Sequence, residues 1–263
     1  MVMRDVTRNI TTFSVPFARQ GIFNIGGRGT LVRLSSGAVA IFSPVALTQA
    51  VLGKIQDGGN RLDYIIAPDL EHHIFISQWK SAFPSAKIIG PEGLPEKRAK
   101  QRDDYIQPDE FSTVFKAATK RDMTITPEFD ADFEYEYVDA HMNRELVFFY
   151  KPDRVLIEAD LLFNLPAVEQ YSKAGLQKNG KLSTLLNKAF NAVFTTEGDL
   201  TWLRRFQWYI TASKDRAGFA ESIKRINDWD FHTIIPCHGG VIELNAKEKF
   251  QDVFQWQLHS KQN

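Results

Sequence analysis

Residues 65–77 read IIAPDLEHHIFIS. The stretch starts as a buried strand, breaks at Pro68, and sets His72 and His73 side by side before more apolar and aromatic residues. The chain has 263 residues and six histidines, so two together just past a strand end ask for a reason. Three other places look alike. Asp160 follows VLIEA, His238 follows TIIPC, and His141 follows FEYEYVDA. Strand ends on a rigid sheet can converge on one rim, where imidazole and carboxylate suit zinc, iron or manganese. Singly, each residue reads as a structural histidine or a turn aspartate; the metal reading rests on the combination. His232 and His259 flank helices and read as structural or exposed.

Outward from this stretch, the pattern is layered. Strand Tyr64–Ala67 is preceded by a hairpin, Leu31–Leu34 with Val39–Phe42. The GGRG turn at 26–29 lacks the Lys-Ser/Thr of a phosphate loop and leads into a strand, which argues against phosphate binding there. Ser43-Pro44 predicts a helix start, with Leu47, Val51, Leu52 and Ile55 on one face and DGGN as its stop. A helix is expected from about Glu71 to Phe83, then a strand in AKIIGP. The charge run LPEKRAKQRDD reads as a solvated surface. Strands are expected at Phe133–Val138, Glu145–Tyr150 and Val155–Ala159. Helices follow: LSTLLNKAFNAVF and DLTWLRRFQWYI within Pro166–Tyr209, then Ser213–Trp229. The strand HTIIPCH and a last helix, Asn245–His259, close the chain. The order suits a layered α/β or α+β sandwich better than a doubly wound sheet. One domain over 1–263 is expected, with a helical insertion at about 166–210.

Composition narrows the function. The formal net charge is zero, with 43% hydrophobic and 24% charged residues, which gives no broad attraction for nucleic acid. No apolar stretch is long enough for a membrane span. The single cysteine, Cys237, forbids an intrachain disulfide and fits a reducing compartment. The N-terminus lacks the apolar core of a signal peptide, so a cytoplasmic protein is expected. Cys237 should point away from its neighbour His238 on an extended strand and reads as buried and structural. Leu182, Leu185, Leu186, Ala189, Phe190 and Val193 recur at helical spacing. They predict core or dimer helices, a cap over a site, or a membrane-contacting surface. The apolar face of Leu182, Leu185, Leu186, Phe190 and Phe194 should be covered, by the sandwich or by a second subunit.

The stretches LVRLSSGAVAIFSPVALT, YIIAPDLEHHIFISQWKSAFPSAKIIGPEGLPEKR, ELVFFYKPDRVLIEADLLFNLP and IIPCHGGVIE resemble the metallo-β-lactamase-fold superfamily. The likeness is closest to a mainly fungal and bacterial branch grouped as a domain of unknown function. The resemblance implies a four-layer αββα sandwich, an α/β (α+β) fold, with metal at one edge. The superfamily's His-x-His-x-Asp-His motif falls on Pro68 to His73. His73 keeps the last histidine, His72 stands at the aspartate, and Pro68 and Leu70 replace the first two histidines. The next histidine matches His141, the aspartate Asp160 and the final histidine His238. The resemblance therefore implies one divalent metal, zinc first and iron or manganese next, held by His72, His73, Asp160 and His238. His72 doubles as ligand or water-orienting base, and His141 is a substrate-polarising group or an extra ligand. The implied activity is hydrolysis of an ester, lactone, thioester, amide or phosphoester in a small-molecule substrate by metal-bound water. The alternative is a non-catalytic binding protein on the same fold. A homo-oligomer through 182–209 accompanies either reading.

Overall fold

The computed structural model describes residues 1–56, 59, 61–101, 103–175 and 180–260. Nine strands come first: β1 Val2–Asp5, β2 Ile10–Val15, β3 Ala18–Arg19, β4 Phe23–Asn24, β5 Gly27–Arg33, β6 Val39–Phe42, β7 Tyr64–Ile66, β8 Lys87–Pro91 and β9 Thr113–Phe115. Seven of them form one sheet in the order β1-β2-β5-β6-β7-β8-β9, and β3 pairs with β4 apart from it. The sheet is antiparallel from β1 to β6 and parallel from β6 to β9. A second sheet runs β10 Phe133–Val138, β11 Glu145–Tyr150, β12 Val155–Ile157 and β13 Thr233–Ile235, in that order. Its last pair is parallel.

Every buried strand alternates between two cores, as a pleated strand must when both faces are covered. Ala40, Phe42, Tyr64, Ile66, Leu146, Phe148, Tyr150, Val155, Ile157 and Ile235 meet between the sheets. Val39, Ile41, Ile65 and Ala67 face outward to α1 Gln49–Gln56 and α2 Ile76–Ala82, through Val51, Ile55, Ile76 and Trp79. In the second sheet, Val147, Phe149, Leu156 and Ile234 face the other outer layer. That layer contains Phe219, Ile223 and Ile226 of one helix, Arg216–Asp228, and Phe250 and Val253 of another, Ala246–Val253. The layers are thus helices, sheet, sheet, helices, as the resemblance implies. Trp79 is fully buried and its indole N–H donates to the Val45 carbonyl at 2.6 Å, which fixes α2 to the segment after β6.

Several boundaries differ from the sequence reading. Ser43 does not cap a helix. It adopts a positive φ of 49°, and α1 starts at Gln49 with Thr48 Oγ1 accepting from the Val51 amide. The DGGN stop falls largely outside the described residues. The helix expected from Glu71 begins only at Ile76, because the preceding turn is held by the Asp69 side chain. The last helix breaks at Phe254 into Ala246–Val253 and Gln255–Leu258. The other helices are α3 Leu94–Lys100, α4 Pro127–Asp132, α5 Val168–Tyr171, α6 Lys181–Val193 and α7 Thr201–Phe206. No helix among the described residues is long and apolar enough to cross a membrane.

Candidate metal centre

The rim is built where three strands end. After β7, the Leu146 amide donates to the Pro68 carbonyl at 2.6 Å and the Leu70 amide to the Asn143 carbonyl at 3.1 Å, so the two loops are tied together. Asp69 is fully buried. Its Oδ1 accepts from the amides of Glu71 at 2.8 Å and His72 at 2.7 Å, closing a turn of the kind Asx side chains form. The same carboxylate lies 2.9 and 3.0 Å from His72 Nδ1. One aspartate therefore sets both the backbone and the ring of His72.

After β12, the Ala159 and Asp160 amides donate to the Glu145 carboxylate at 2.8 and 3.0 Å. Asn143 Nδ2 donates to Asp160 Oδ2 at 2.6 Å. Asp160 Oδ1 is buried with no hydrogen-bond partner and lies 3.2 Å from His238 Nε2. After β13, His238 Nδ1 contacts the Gly26 carbonyl at 2.6 Å. Gly239 next to it takes a positive φ, and a Cβ there would meet the Asn164 carbonyl oxygen at 2.0 Å, so only glycine fits this turn.

His72 Nε2 and His238 Nε2 face each other at 3.2 Å. Both Nδ1 atoms sit against acceptor-only oxygens, a carboxylate and a carbonyl, so each Nδ1 carries the proton. In the neutral rings, both Nε2 atoms are then bare lone pairs. With Asp160 Oδ1 they make three acceptors aimed inward with no donor among them. The ligand atoms of His72, Asp160 and His238 all lie within 4.8 Å of one another. With both rings neutral, such a group can hold a cation at its centre, and the donor set of two imidazoles and a carboxylate fits zinc, iron or manganese. Asp69 and Gly26 are the partners that fix ring orientation in metal-binding histidines.

The surroundings favour positive charge here, either a proton on His72 or a metal ion that displaces it. Burial pushes His72 down, but Asp69, Cys237 and Asp160 outweigh it and hold the imidazole well above its ordinary value. Burial raises Asp160, but His72 and His238 keep its carboxyl well below the usual range. Glu145 and Glu158 are buried deeply enough to be pushed well above it.

The two remaining sequence candidates lie outside this group. His73 is buried, and its Nδ1 and carbonyl face Arg98 Nη1 at 3.2 and 2.6 Å. Burial and Arg98 push its pKa down to about 4. His73 therefore fastens the turn to α3, while His72 turns inward. His141 is also buried, and it stacks on Phe219. Its Nδ1 accepts from the Asn143 amide at 3.2 Å, and it also hydrogen-bonds the Asp160 backbone. Burial lowers it to about 4. Cys237 is buried and donates to the Arg28 carbonyl at 3.1 Å, as a structural residue would. Asp69, Asn143 and Glu145 are parts of the site that the sequence reading did not single out. The spacing Asp69-x-x-His72 is the one local sign, since an Asx turn reaches that far.

Access is narrow. The side chain of His72 is 17% exposed, against 5% for Asp160 and 6% for His238. Phe17, itself half-exposed, stacks near His238 at 6.2 Å, and Phe163 lies 4.6 Å away from the same ring. The helical stretch approaches from this side. Phe190 of α6 stacks on Phe23 at 4.5 Å, and Asn187 Oδ1 accepts from the Asn24 amide at 2.8 Å. The expected cover of the α6 face is only partial. Phe190 and Phe194 pack into a small cluster with Ile25, Leu165 and Tyr171, whereas Leu182, Leu185 and Leu186 stay exposed.

With this geometry in view, the comparisons with known proteins fall into place. The family DUF4336, a domain of unknown function, matches residues 18–208. The chain belongs to it. The match includes His72, His73, His141 and Asp160 and stops short of His238. Among solved structures, this DUF4336 chain is similar to a metallo-β-lactamase from Pontibacter korlensis, at 10% identity and a TM-score of 0.58, over 97% of this chain and 98% of that one. It is similar to FIM-1 from Pseudomonas aeruginosa in its mono-zinc form, at 9% and 0.57, over 97% and 94%. The metal-soaked Flv1 flavodiiron core from Synechocystis sp. PCC6803 matches at 13% and 0.62, over 97% of this chain and 60% of that one. Likeness at these identities shows the fold, and the fold is that of the metallo-β-lactamases. No curated protein matches the chain.

Proposed function

We propose that this chain is a metal-dependent hydrolase with one divalent ion, zinc in the first instance, held by His72, Asp160 and His238. The observation that carries the reading is the convergence of two Nε2 atoms and Asp160 Oδ1, within 4.8 Å of one another. When bound, the ion would supply a Lewis acid that polarises an ester-type carbonyl or phosphoryl oxygen and lowers the pKa of a water toward about 7. Three protein ligands leave a position open, which a catalytic site requires and a four-ligand structural site lacks.

The chain's own groups have separable parts. Asp69 and the Gly26 carbonyl keep the protons of His72 and His238 on Nδ1. Asn143 holds Asp160 Oδ2, so that Oδ1 turns inward. His141 and His73 brace the two loops from outside the ligand set, which reduces the four ligands implied by resemblance to three. Phe17 and Phe163 give the opening an apolar wall that suits the non-reacting part of an ester, lactone, thioester, amide or phosphoester. We place this activity in the cytoplasm.

A non-catalytic metal-binding role is the second reading, and the low exposure of the three ligands favours it. One experiment separates the two. Protein purified without a histidine tag is analysed for metal, then assayed on activated esters, lactones, thioesters and phosphodiesters. The hydrolase reading expects about one metal per chain and turnover that a chelator abolishes, lost in His238→Ala and kept in His259→Ala. A filled site with no turnover across the panel transfers the assignment to the binding role.

A further inference from the structure

The GGRG turn that fails as a phosphate loop has another use. Arg28, at the start of β5, has a side chain with no exposed surface. A guanidinium is expensive to bury unless its donors are engaged, and these are. Nε donates to Ser14 Oγ at 3.1 Å. Nη1 donates to the Pro236 carbonyl at 2.5 Å and Nη2 to the Gly239 carbonyl at 2.8 Å. The same Nη2 lies 3.4 Å from Glu169 of α5, whose carboxylate also takes Ser14 Oγ and Arg4.

The two carbonyls flank His238. This turn is also tied to the segment that leads into β5: Cys237 Sγ donates to the Arg28 carbonyl, His238 Nδ1 to the Gly26 carbonyl, and the Gly239 amide to the Ile25 carbonyl at 3.1 Å. Each residue from Pro236 to Gly239 is thus bonded to the run Ile25–Arg28. Gln170 Nε2 joins Arg28 on the Gly239 carbonyl at 2.6 Å. Only the planar fork of arginine reaches two carbonyls and a carboxylate at fixed angles; a lysine ammonium does not reproduce it.

We propose that Arg28 is a positioning residue of the metal centre, acting on His238. By holding the Pro236 and Gly239 carbonyls it fixes the turn that carries His238, and Glu169 ties this clamp to α5. The inference rests on the reading of His238 as a metal ligand. Partners one step behind a metal ligand typically change affinity by about 10–100-fold when removed.

The test uses Arg28→Lys, Arg28→Met and Glu169→Gln in the full chain, with Arg121→Met as control, since Arg121 pairs with Glu136 and Glu221 and with none of the clamp residues. Zinc affinity is measured by competition with a chromophoric chelator, and the His238 tautomer by imidazole nitrogen NMR on metal-free protein. Arg28→Lys and Arg28→Met are expected to weaken zinc binding by roughly 10–100-fold and to let the His238 proton exchange between Nδ1 and Nε2. Glu169→Gln should give a smaller change in the same direction, and Arg121→Met none. If Arg28→Met does not fold, the other two variants decide through the same readouts. A His238 tautomer that stays wholly Nδ1-protonated in every folded variant overturns the proposal. Should wild type bind no zinc, the metal reading fails, while the tautomer measurement still judges Arg28.

Discussion

The rim of the sandwich and the helix α6 are both marked by residues that ask for partners, and they find them in opposite ways. At the rim, His72 and His238 stand 166 positions apart in the chain and meet at 3.2 Å. In α6, Leu182, Leu185 and Leu186 lie within two turns of each other and share a stripe, yet all three remain exposed. The rim residues are held by strands whose two faces are both buried, so their ends have little freedom. Helix α6 is anchored mainly at one end, through Phe190, Asn187 and Phe194. Periodicity therefore reports that a stripe is apolar, not that this chain covers it. Long-range convergence leaves almost no periodic trace, only residue types at strand ends.

The contrast can be broken by substitution. Phe148→Ala removes a fully buried ring between the sheets, packed on Phe42 at 5.0 Å and on three further aromatic rings. It should cost about 3–5 kcal/mol in denaturant unfolding. A loss under about 1 kcal/mol would mean that the inter-sheet core is not the main support of the rim.

The same core should show itself in pH. Burial raises the phenols of Tyr137 and Tyr150 above the ordinary value of 10.0. The unfolded chain then releases these protons at lower pH than the folded one, so stability is complete below about pH 10 and falls as pH rises beyond it. Alkaline melts should show that fall, and it should shrink in Tyr137→Phe. An unchanged alkaline limb would contradict the burial argument.

Smaller effects sharpen the comparison. Asn143→Ala leaves Asp160 Oδ2 without its donor and should weaken metal binding by roughly 10–100-fold while the fold persists. Leu185→Glu on the exposed stripe should change stability by no more than about 0.5 kcal/mol. A greater loss, or a concentration-dependent melt in wild type alone, would indicate that a second copy covers α6.

Much of this was legible before any coordinates. The short apolar runs in VLIEA and TIIPC carry the sandwich, because both faces of each strand are covered. His72, His73, His141, Asp160 and His238 all stand out as ligand types near strand ends, and the structure brings three of them, His72, Asp160 and His238, together. What the sequence withheld is orientation. Nothing local says that His72 turns inward and His73 outward; that is settled by Asp69 on one side and Arg98 on the other, through contacts specific to the folded turn. Asn143 gives no local sign of its role, because its partner, Asp160, belongs to another strand end. The helix expected from Glu71 was delayed for the same reason: the Asp69 side chain takes the amides that a first helical turn would have used.

The division between the two adjacent histidines tests the account most directly. Zinc stoichiometry and affinity are measured on wild type, His72→Ala and His73→Ala, each confirmed folded. The account predicts about one zinc in wild type, loss of tight binding in His72→Ala, and retained binding in His73→Ala. Loss of zinc in His73→Ala with retention in His72→Ala would contradict it.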